Sequence, residues 1–285
     1  MFEINGRTKQ LGIIGFPADH SFSPKMHNFI SEQMGNNYVY TAWNVKPEML
    51  KEAIEGVRAL GISGINVTAP HKVEVMKYLD EVSEQARLLG AVNTVVNRDG
   101  KLFGYNTDSE GFYTALKRAD IHIEGSRILI LGAGGVVKPT LMRIIQANPK
   151  EVTVVNRTKE KAMRLAESIK EQMGFVINTE IENFNFDIVI NTTSAGMEPQ
   201  TDALPIDMIN EIENIDFINE NTSVVDMIYN PDETLFLKEA QKRGARTING
   251  LGMLIHQGLI AYELFTDTKL PEDMADVVKK EVFGR

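Results

Sequence analysis

The sequence predicts an α/β protein built as two domains. Short apolar runs alternate with helical patterns along the whole chain, the order expected of mostly parallel sheets covered by helices. A strand that runs into a glycine-rich turn, Ile128-Leu129-Ile130-Leu131-Gly132-Ala133-Gly134-Gly135, lies near the middle of the chain, where a second domain would open. At 285 residues the chain exceeds the usual span of one domain, so each half is long enough to bury a core of its own.

Taken in order, strands are predicted at residues 11–14, 38–45, 62–67 and 91–96, then at 128–131, 152–155, 188–190 and 224–228. Residues 48–60, 141–147 and 159–172 carry apolar side chains at helical spacing. Arg98-Asp99-Gly100, between Val96 and Leu102, reads as a tight hairpin turn, because Asp-Gly adopts the backbone that such turns require. A helix over 109–119 leads to Glu124-Gly125-Ser126 and a fresh strand, so residues 1–110 are assigned to a first domain and 111–251 to a second. Helical patterns at 252–265 and 271–283 have no strands beside them, and residues 252–285 are expected to pack back onto the first domain. The sequence contains no internal repeat and no low-complexity segment.

Composition narrows the chemistry. With 30 Lys and Arg against 39 Asp and Glu, the net charge of -9 argues against nucleic acid as a partner, while leaving local cations for small anions. Cysteine is absent, which excludes disulfides, a thiol nucleophile and thiolate metal sites. His20, His27, His71, His122 and His256 form no helical pair and have no carboxylate cluster near them in sequence, so no metal site is expected. The N-terminal Met-Phe-Glu-Ile-Asn-Gly-Arg lacks the basic flank and apolar core of a signal peptide, and no apolar run approaches about 18 residues. The chain is therefore expected to be cytoplasmic, with no membrane partner.

The glycine turn predicts a nucleotide. Gly132, Ala133, Gly134, Gly135 and Val136 follow an apolar strand and precede a helix, whose free N–H groups and positive end suit a pyrophosphate. Val137 stands where a third glycine is common, so the motif alone is also compatible with a plain tight turn. The following strand ends in Asn156-Arg157-Thr158, where a carboxylate would mark NAD; a guanidinium there favours the 2′-phosphate of NADP. Together these features make the second domain a Rossmann-like, doubly wound NADP-binding unit, with a ligand cleft expected between the two domains.

The first domain carries the reactive side chains. Asn66-Val67-Thr68-Ala69-Pro70-His71-Lys72 ends an apolar strand on a lysine, and Gly104-Tyr105-Asn106-Thr107-Asp108 ends another on a carboxylate. A lysine and an aspartate beside a nucleotide loop point to carbonyl or alcohol redox chemistry, since an ammonium can stabilise and protonate a developing alkoxide. Ser21 and Ser23, two apart in a loop, can face one carboxylate together. Plainer roles exist for each: a helix N-cap for Ser23 and Asp108, and a solvated helix start for Lys72.

Through its ordered motifs the chain resembles the shikimate dehydrogenases over nearly its full length. The motifs are G-F-P-x-x-H-S-x-S-P-x-x-H-N from Gly15, N-V-T-A-P-H-K from Asn66, G-A-V-N-T from Gly90 and G-x-N-T-D-x-x-G from Gly104. They continue with G-A-G-G from Gly132, N-R-T from Asn156, N-T-T-S-A-G-M from Asn191, D-M-I-Y-N-P from Asp226 and G-M-L-I-H-Q-G from Gly252. The resemblance implies reversible NADPH-dependent reduction of 3-dehydroshikimate to shikimate, a step toward chorismate and the aromatic amino acids. It implies Lys72 and Asp108 as the catalytic pair, with Ser21, Ser23, Thr68, Asn93, Tyr229 and Gln257 joining them as substrate contacts. It implies cofactor contacts at Gly132, Ala133, Gly134, Gly135 and Val136, at Asn156, Arg157, Thr158 and Lys161, and at Met227 and Gly250, with Glu84 as a further candidate. A quinate/shikimate dehydrogenase using NAD, or a non-catalytic nucleotide-binding protein of the same fold, are the competing readings; a monomer or homodimer is expected.

Overall fold

The structure, a computed structural model, describes residues 4–134, 137–209 and 212–285. It divides into two compact units, Met1–Gly111 with Ile255–Arg285, and Phe112–Leu254. In chain order the strands are β1 (Lys9–Gly15), β2 (Tyr38–Asn44), β3 (Gly64–Val67), β4 (Glu81–Val82), β5 (Thr94–Arg98) and β6 (Lys101–Tyr105). They continue with β7 (Arg127–Leu131), β8 (Glu151–Val155), β9 (Ile188–Asn191), β10 (Ser223–Asp226) and β11 (Arg246–Ile248). The helices are α1 (Ser23–Gln33), α2 (Leu50–Ala59), α3 (Glu84–Leu89), α4 (Asp108–Arg118) and α5 (Val137–Ile145). After them come α6 (Lys159–Met173), α7 (Leu235–Lys242), α8 (Leu251–Thr266) and α9 (Met274–Phe283).

Among the described residues, the first unit holds a six-stranded sheet in the order β2-β1-β3-β5-β6-β4. β1 pairs parallel with both β2 and β3, because α1 and α2 carry the chain back along the sheet each time. Among the described residues pairing is mostly parallel, as expected; the exceptions lie at β5, whose pairs with β3 and β6 are antiparallel, while β4 pairs parallel with β6. The β5–β6 pair is the hairpin expected at residues 98–100. Asp99 at φ 52 and Gly100 at φ 87 form a two-residue turn of the kind that matches strand twist, and so short a connection leaves no room for a crossover. Arg98 and Lys101 close the hairpin as directly paired residues.

The chain leaves β1 first toward β2 and then returns to β3 on the other side of β1. Strand order thus reverses at β1, and the carboxyl ends of β1 and β3 are where an open α/β sheet places its ligands. Ile14, Val67, Leu50, Ile54 and Leu102 fill the core under this point, each contributing about 1.5–3 kcal/mol by leaving water. Residues 255–266 of α8 and helix α9 belong to the same unit: Phe22 and Phe283 rings stand 5.7 Å apart, and Lys25 Nζ donates to the Val282 carbonyl.

The second unit holds, among the described residues, a five-stranded parallel sheet in the order β11-β10-β9-β7-β8. Asn178 adds a single parallel bridge to Thr153 on the outer side of β8. This is the doubly wound pattern with its third strand reduced to one residue, and the order reverses between β7 and β9. Leu129, Leu131, Val189, Phe236 and Leu237 form its core on one face. α7, unanticipated from periodicity, is capped by Thr234, whose hydroxyl accepts from Leu237 N at 3.3 Å.

Candidate active site

In the first unit the turn after β3 is tied to its neighbours by main-chain bonds: Thr68 N to Ile14 O at 2.9 Å, His71 N to Thr68 O at 3.0 Å, and Val92 N to Lys72 O at 2.8 Å. His71 is buried with Nε2 2.7 Å from Val45 O, which makes it a brace for this turn. Lys72 Nζ donates to Asp108 Oδ2 at 2.7 Å. The side chains are 26% and 17% exposed, so the pair is partly desolvated yet open to an entering ligand. Asp108 opens α4, and its own N–H donates to Asn106 Oδ1 at 3.1 Å. The carboxylate is therefore held at a helix start with the lysine as its partner.

Beside the pair lies a buried neutral network. Asn93 Oδ1 accepts from Thr107 N at 2.8 Å and from Thr94 Oγ1 at 2.9 Å, while Asn93 Nδ2 donates to Thr107 Oγ1 at 3.0 Å. Gln257 Oε1 stands 3.4 Å from Thr107 Oγ1. Gly111 makes that approach possible, since a Cβ there would sit 2.6 Å from Gln257 N. Asn66 Nδ2 donates to the Asn93 carbonyl at 3.2 Å and to Thr94 Oγ1 at 3.1 Å, and the Tyr40 hydroxyl donates to Asn66 Oδ1 at 2.7 Å. Burial pushes the Tyr40 phenol well above its usual range.

Ser23 N donates to Ser21 Oγ at 3.2 Å, so the two serines share one bend before α1. Phe22, rather than Ser23, is the N-cap residue of α1, without a side-chain cap bond among the described residues. Thr68 is half-buried at the carboxyl end of β3. His27, on α1, is fully buried and stacks on Tyr40 at 4.3 Å, with no hydrogen-bond partner for either ring nitrogen among the described residues. Burial lowers its pKa to about 3, which keeps the imidazole neutral.

In the second unit, Gly132 adopts φ 110, a left-handed backbone open to glycine, and a Cβ there would lie 2.6 Å from Thr192 Oγ1. Ala133 N donates to Asn156 Oδ1 at 3.0 Å, and Asn156 Nδ2 donates to Thr158 O at 2.9 Å, which ties the glycine turn to the end of β8. Gly134 has open space where a Cβ would stand, leaving its backbone approachable. Gly135 and Val136 lie outside the described residues. Arg157, Thr158 and Lys161 are exposed just past β8. A glycine turn opening onto a helix, with exposed Arg157 and Lys161 past the next strand, fits a dinucleotide carrying a 2′-phosphate.

Gly250 N donates to Ile228 O at 2.9 Å, and a Cβ at Gly250 would overlap the Met227 carbonyl. Met227 and Tyr229 are half-buried in the loop after β10, and burial raises the Tyr229 phenol. Glu84 is exposed in the first turn of α3, in the first unit. Sequence reasoning missed Asn66, Thr94 and Tyr40 as partners of Asn93, and missed the buried Asn191–Asp226 contact at 3.0 Å. Burial raises the Asp226 pKa to about 6 despite hydrogen bonds that pull the other way. Their motifs were visible; only the fold shows which residues meet. Among the described residues there is no cluster able to hold a metal and no helix long and apolar enough to cross a membrane.

Known families match along the chain in order. The shikimate dehydrogenase substrate binding domain covers residues 13–95, shikimate/quinate 5-dehydrogenase covers 114–229, and the shikimate 5′-dehydrogenase C-terminal domain covers 250–283. A shikimate dehydrogenase (NADP+) of Methanocaldococcus jannaschii is 43% identical over 289 residues, covering 99% of each chain. A crystal structure of a shikimate dehydrogenase in complex with NADP+ superposes with a TM-score of 0.89 at 43% identity, covering 98% of both chains. A shikimate 5-dehydrogenase of Listeria monocytogenes, crystallised with shikimate and NAD, superposes at 0.86 with 33% identity and 98% coverage of both. Full-length similarity at this level, together with the ordered motifs, means that the chain belongs to the shikimate dehydrogenase family.

Proposed function

We propose that this chain catalyses the reversible reduction of 3-dehydroshikimate to shikimate with NADPH. The observation that carries the reading is the Lys72–Asp108 contact of 2.7 Å, set at strand ends beside a buried network of neutral donors and acceptors. NADPH, when bound, supplies the hydride that reaches the carbonyl carbon. As the C=O bond opens, Lys72 stabilises the negative oxygen and passes a proton to it. Asp108 holds the ammonium in place and accepts from the neighbouring substrate hydroxyl. Ser21 and Ser23 take the carboxylate, while Thr68, Asn93, Gln257 and Tyr229 meet the hydroxyls. Glycines 132 and 134 admit the pyrophosphate, and Arg157 and Lys161 hold the 2′-phosphate.

A related reading, oxidation of quinate or use of NAD, draws support from the Listeria relative crystallised with NAD. Arg157 and Lys161 weigh against an NAD-only site in this chain. Steady-state assays of shikimate and quinate against NADP+ and NAD decide between them. The highest kcat/KM is expected for shikimate with NADP+; preference for NAD or for quinate would overturn the assignment.

A further inference from the structure

Two turns of the second unit are clasped by a buried carboxylate whose purpose the proposed ligand contacts leave open. Asp226 ends β10 with no measurable exposure. Its Oδ2 accepts from Thr234 Oγ1 at 2.7 Å, and its Oδ1 accepts from Asn191 Nδ2 at 3.0 Å and from Ile228 N at 3.0 Å. These donors are neutral. A buried carboxylate satisfied by neutral donors is an expensive way to finish a strand, where an apolar residue would serve stability better, so its geometry is the feature to explain.

That geometry joins pieces of the cofactor site. Asn191, at the end of β9, uses its Oδ1 to accept from Thr193 N at 2.9 Å and Thr193 Oγ1 at 2.7 Å, which folds the turn over the amide. Met227 N donates to Asn191 O at 3.0 Å. Thr192, in the same turn, has its Oγ1 2.6 Å from where a Cβ on Gly132 would stand, and that Oγ1 donates to Leu131 O at 2.8 Å. On the other side, Gly250 presses against the Met227 carbonyl. One carboxylate thus sets the floor of the glycine turn and the backbone of Met227 together.

We infer that Asp226 is a positioning residue for the dinucleotide: by clasping the turns after β9 and β10 it fixes Met227 and the support of Gly132. The inference rests on reading the second unit as the NADP-binding unit. It is tested by measuring NADPH affinity through cofactor fluorescence for wild type, Asp226→Ala, Asp226→Asn and Thr234→Val, each well below its unfolding temperature, together with the KM for shikimate. Asp226→Ala should weaken NADPH binding about tenfold or more with little change in the shikimate KM, as loss of an orienting partner does elsewhere. Asp226→Asn, which can accept from Ile228 and donate to Thr234, should stay within about threefold of wild type by retaining those bonds. Thr234→Val removes one donor and should weaken binding in the same direction by less, and it decides the matter if Asp226→Ala does not fold. Wild-type affinity in Asp226→Ala, or in Thr234→Val where that variant decides, would overturn the positioning role alone. Failure of the wild type to bind NADPH would overturn the cofactor reading and this inference with it.

Discussion

Lys72 Nζ and Asp108 Oδ2 lie 2.7 Å apart although 36 residues separate them in the chain. Lys72 reaches the contact from the turn after β3 and Asp108 from the start of α4, so each is anchored by backbone at a strand end or helix end. An ion pair built this way stays formed without ligand, which gives an ammonium a fixed position where an alkoxide would develop.

Asp108→Asn should leave the fold intact, because the amide can still occupy the start of α4. It removes the charge that holds Lys72, and kcat/KM for shikimate should fall about 10²-fold, the scale of a misplaced reacting group. Steady-state kinetics with circular dichroism as the folding control measure this; wild-type kcat/KM in a folded variant would speak against the pair acting as a unit.

Gly111→Ala sets two effects against each other. In a helix interior the change normally stabilises by about 1 kcal/mol. Here the new Cβ would meet Gln257 N at 2.6 Å, against backbone that cannot rotate away, and overpacking of this kind costs about 1–3 kcal/mol. The steric effect should win, lowering the melting temperature and raising the KM for shikimate as Gln257 is pushed from Thr107. A more stable variant with unchanged KM would refute the packing argument.

Arg157→Ala should raise the KM for NADPH while leaving that for NADH nearly unchanged. A charge-assisted hydrogen bond to a 2′-phosphate is worth about 1.5–3 kcal/mol, or about 10- to 100-fold in affinity. Equal losses with both cofactors would show that Arg157 serves the fold and not the phosphate.

Two buried groups make opposite contributions to acid stability. His27 has its folded-state pKa lowered from 6.5 to about 3, so the stability it contributes is full above 6.5 and is lost as pH falls toward 3. Asp226 has its folded-state pKa raised from 3.8 to about 6, so its contribution is full below 3.8 and is lost as pH rises through 6. Between pH 4 and 6 the two act with nearly equal and opposite slopes, so together they should leave stability almost flat there. Urea unfolding across this range should show stability falling with rising pH in His27→Phe, where Asp226 acts alone, and climbing in Asp226→Asn, where His27 acts alone. An unchanged slope in His27→Phe would mean that the buried imidazole does not control acid unfolding.

Features encoded within a few residues were legible in the sequence. The Asp99-Gly100 turn, the Gly132 turn after β7 and the alternation of strands and helices all depend on local backbone chemistry. Antiparallel pairing of β3 with β5 was not legible, because it depends on which strand lies beside the hairpin and not on any one segment. Among candidate site residues, Lys72 and Asp108 stood out by residue type at strand ends, and the fold brings them together. The network around Asn93 did not, since Tyr40, Asn66, Thr94 and Thr107 are ordinary polar residues until long-range packing buries them. The same holds for Asn191 and Asp226, which sit 35 residues apart.

The measurement that tests the central claim most directly is turnover of Lys72→Ala with saturating shikimate and NADP+, beside wild type. Loss of about 10²-fold or more in kcat, with the fold and cofactor affinity retained, is the predicted result. A folded Lys72→Ala variant that turns over shikimate at the wild-type rate would contradict the assignment of Lys72 to the chemistry.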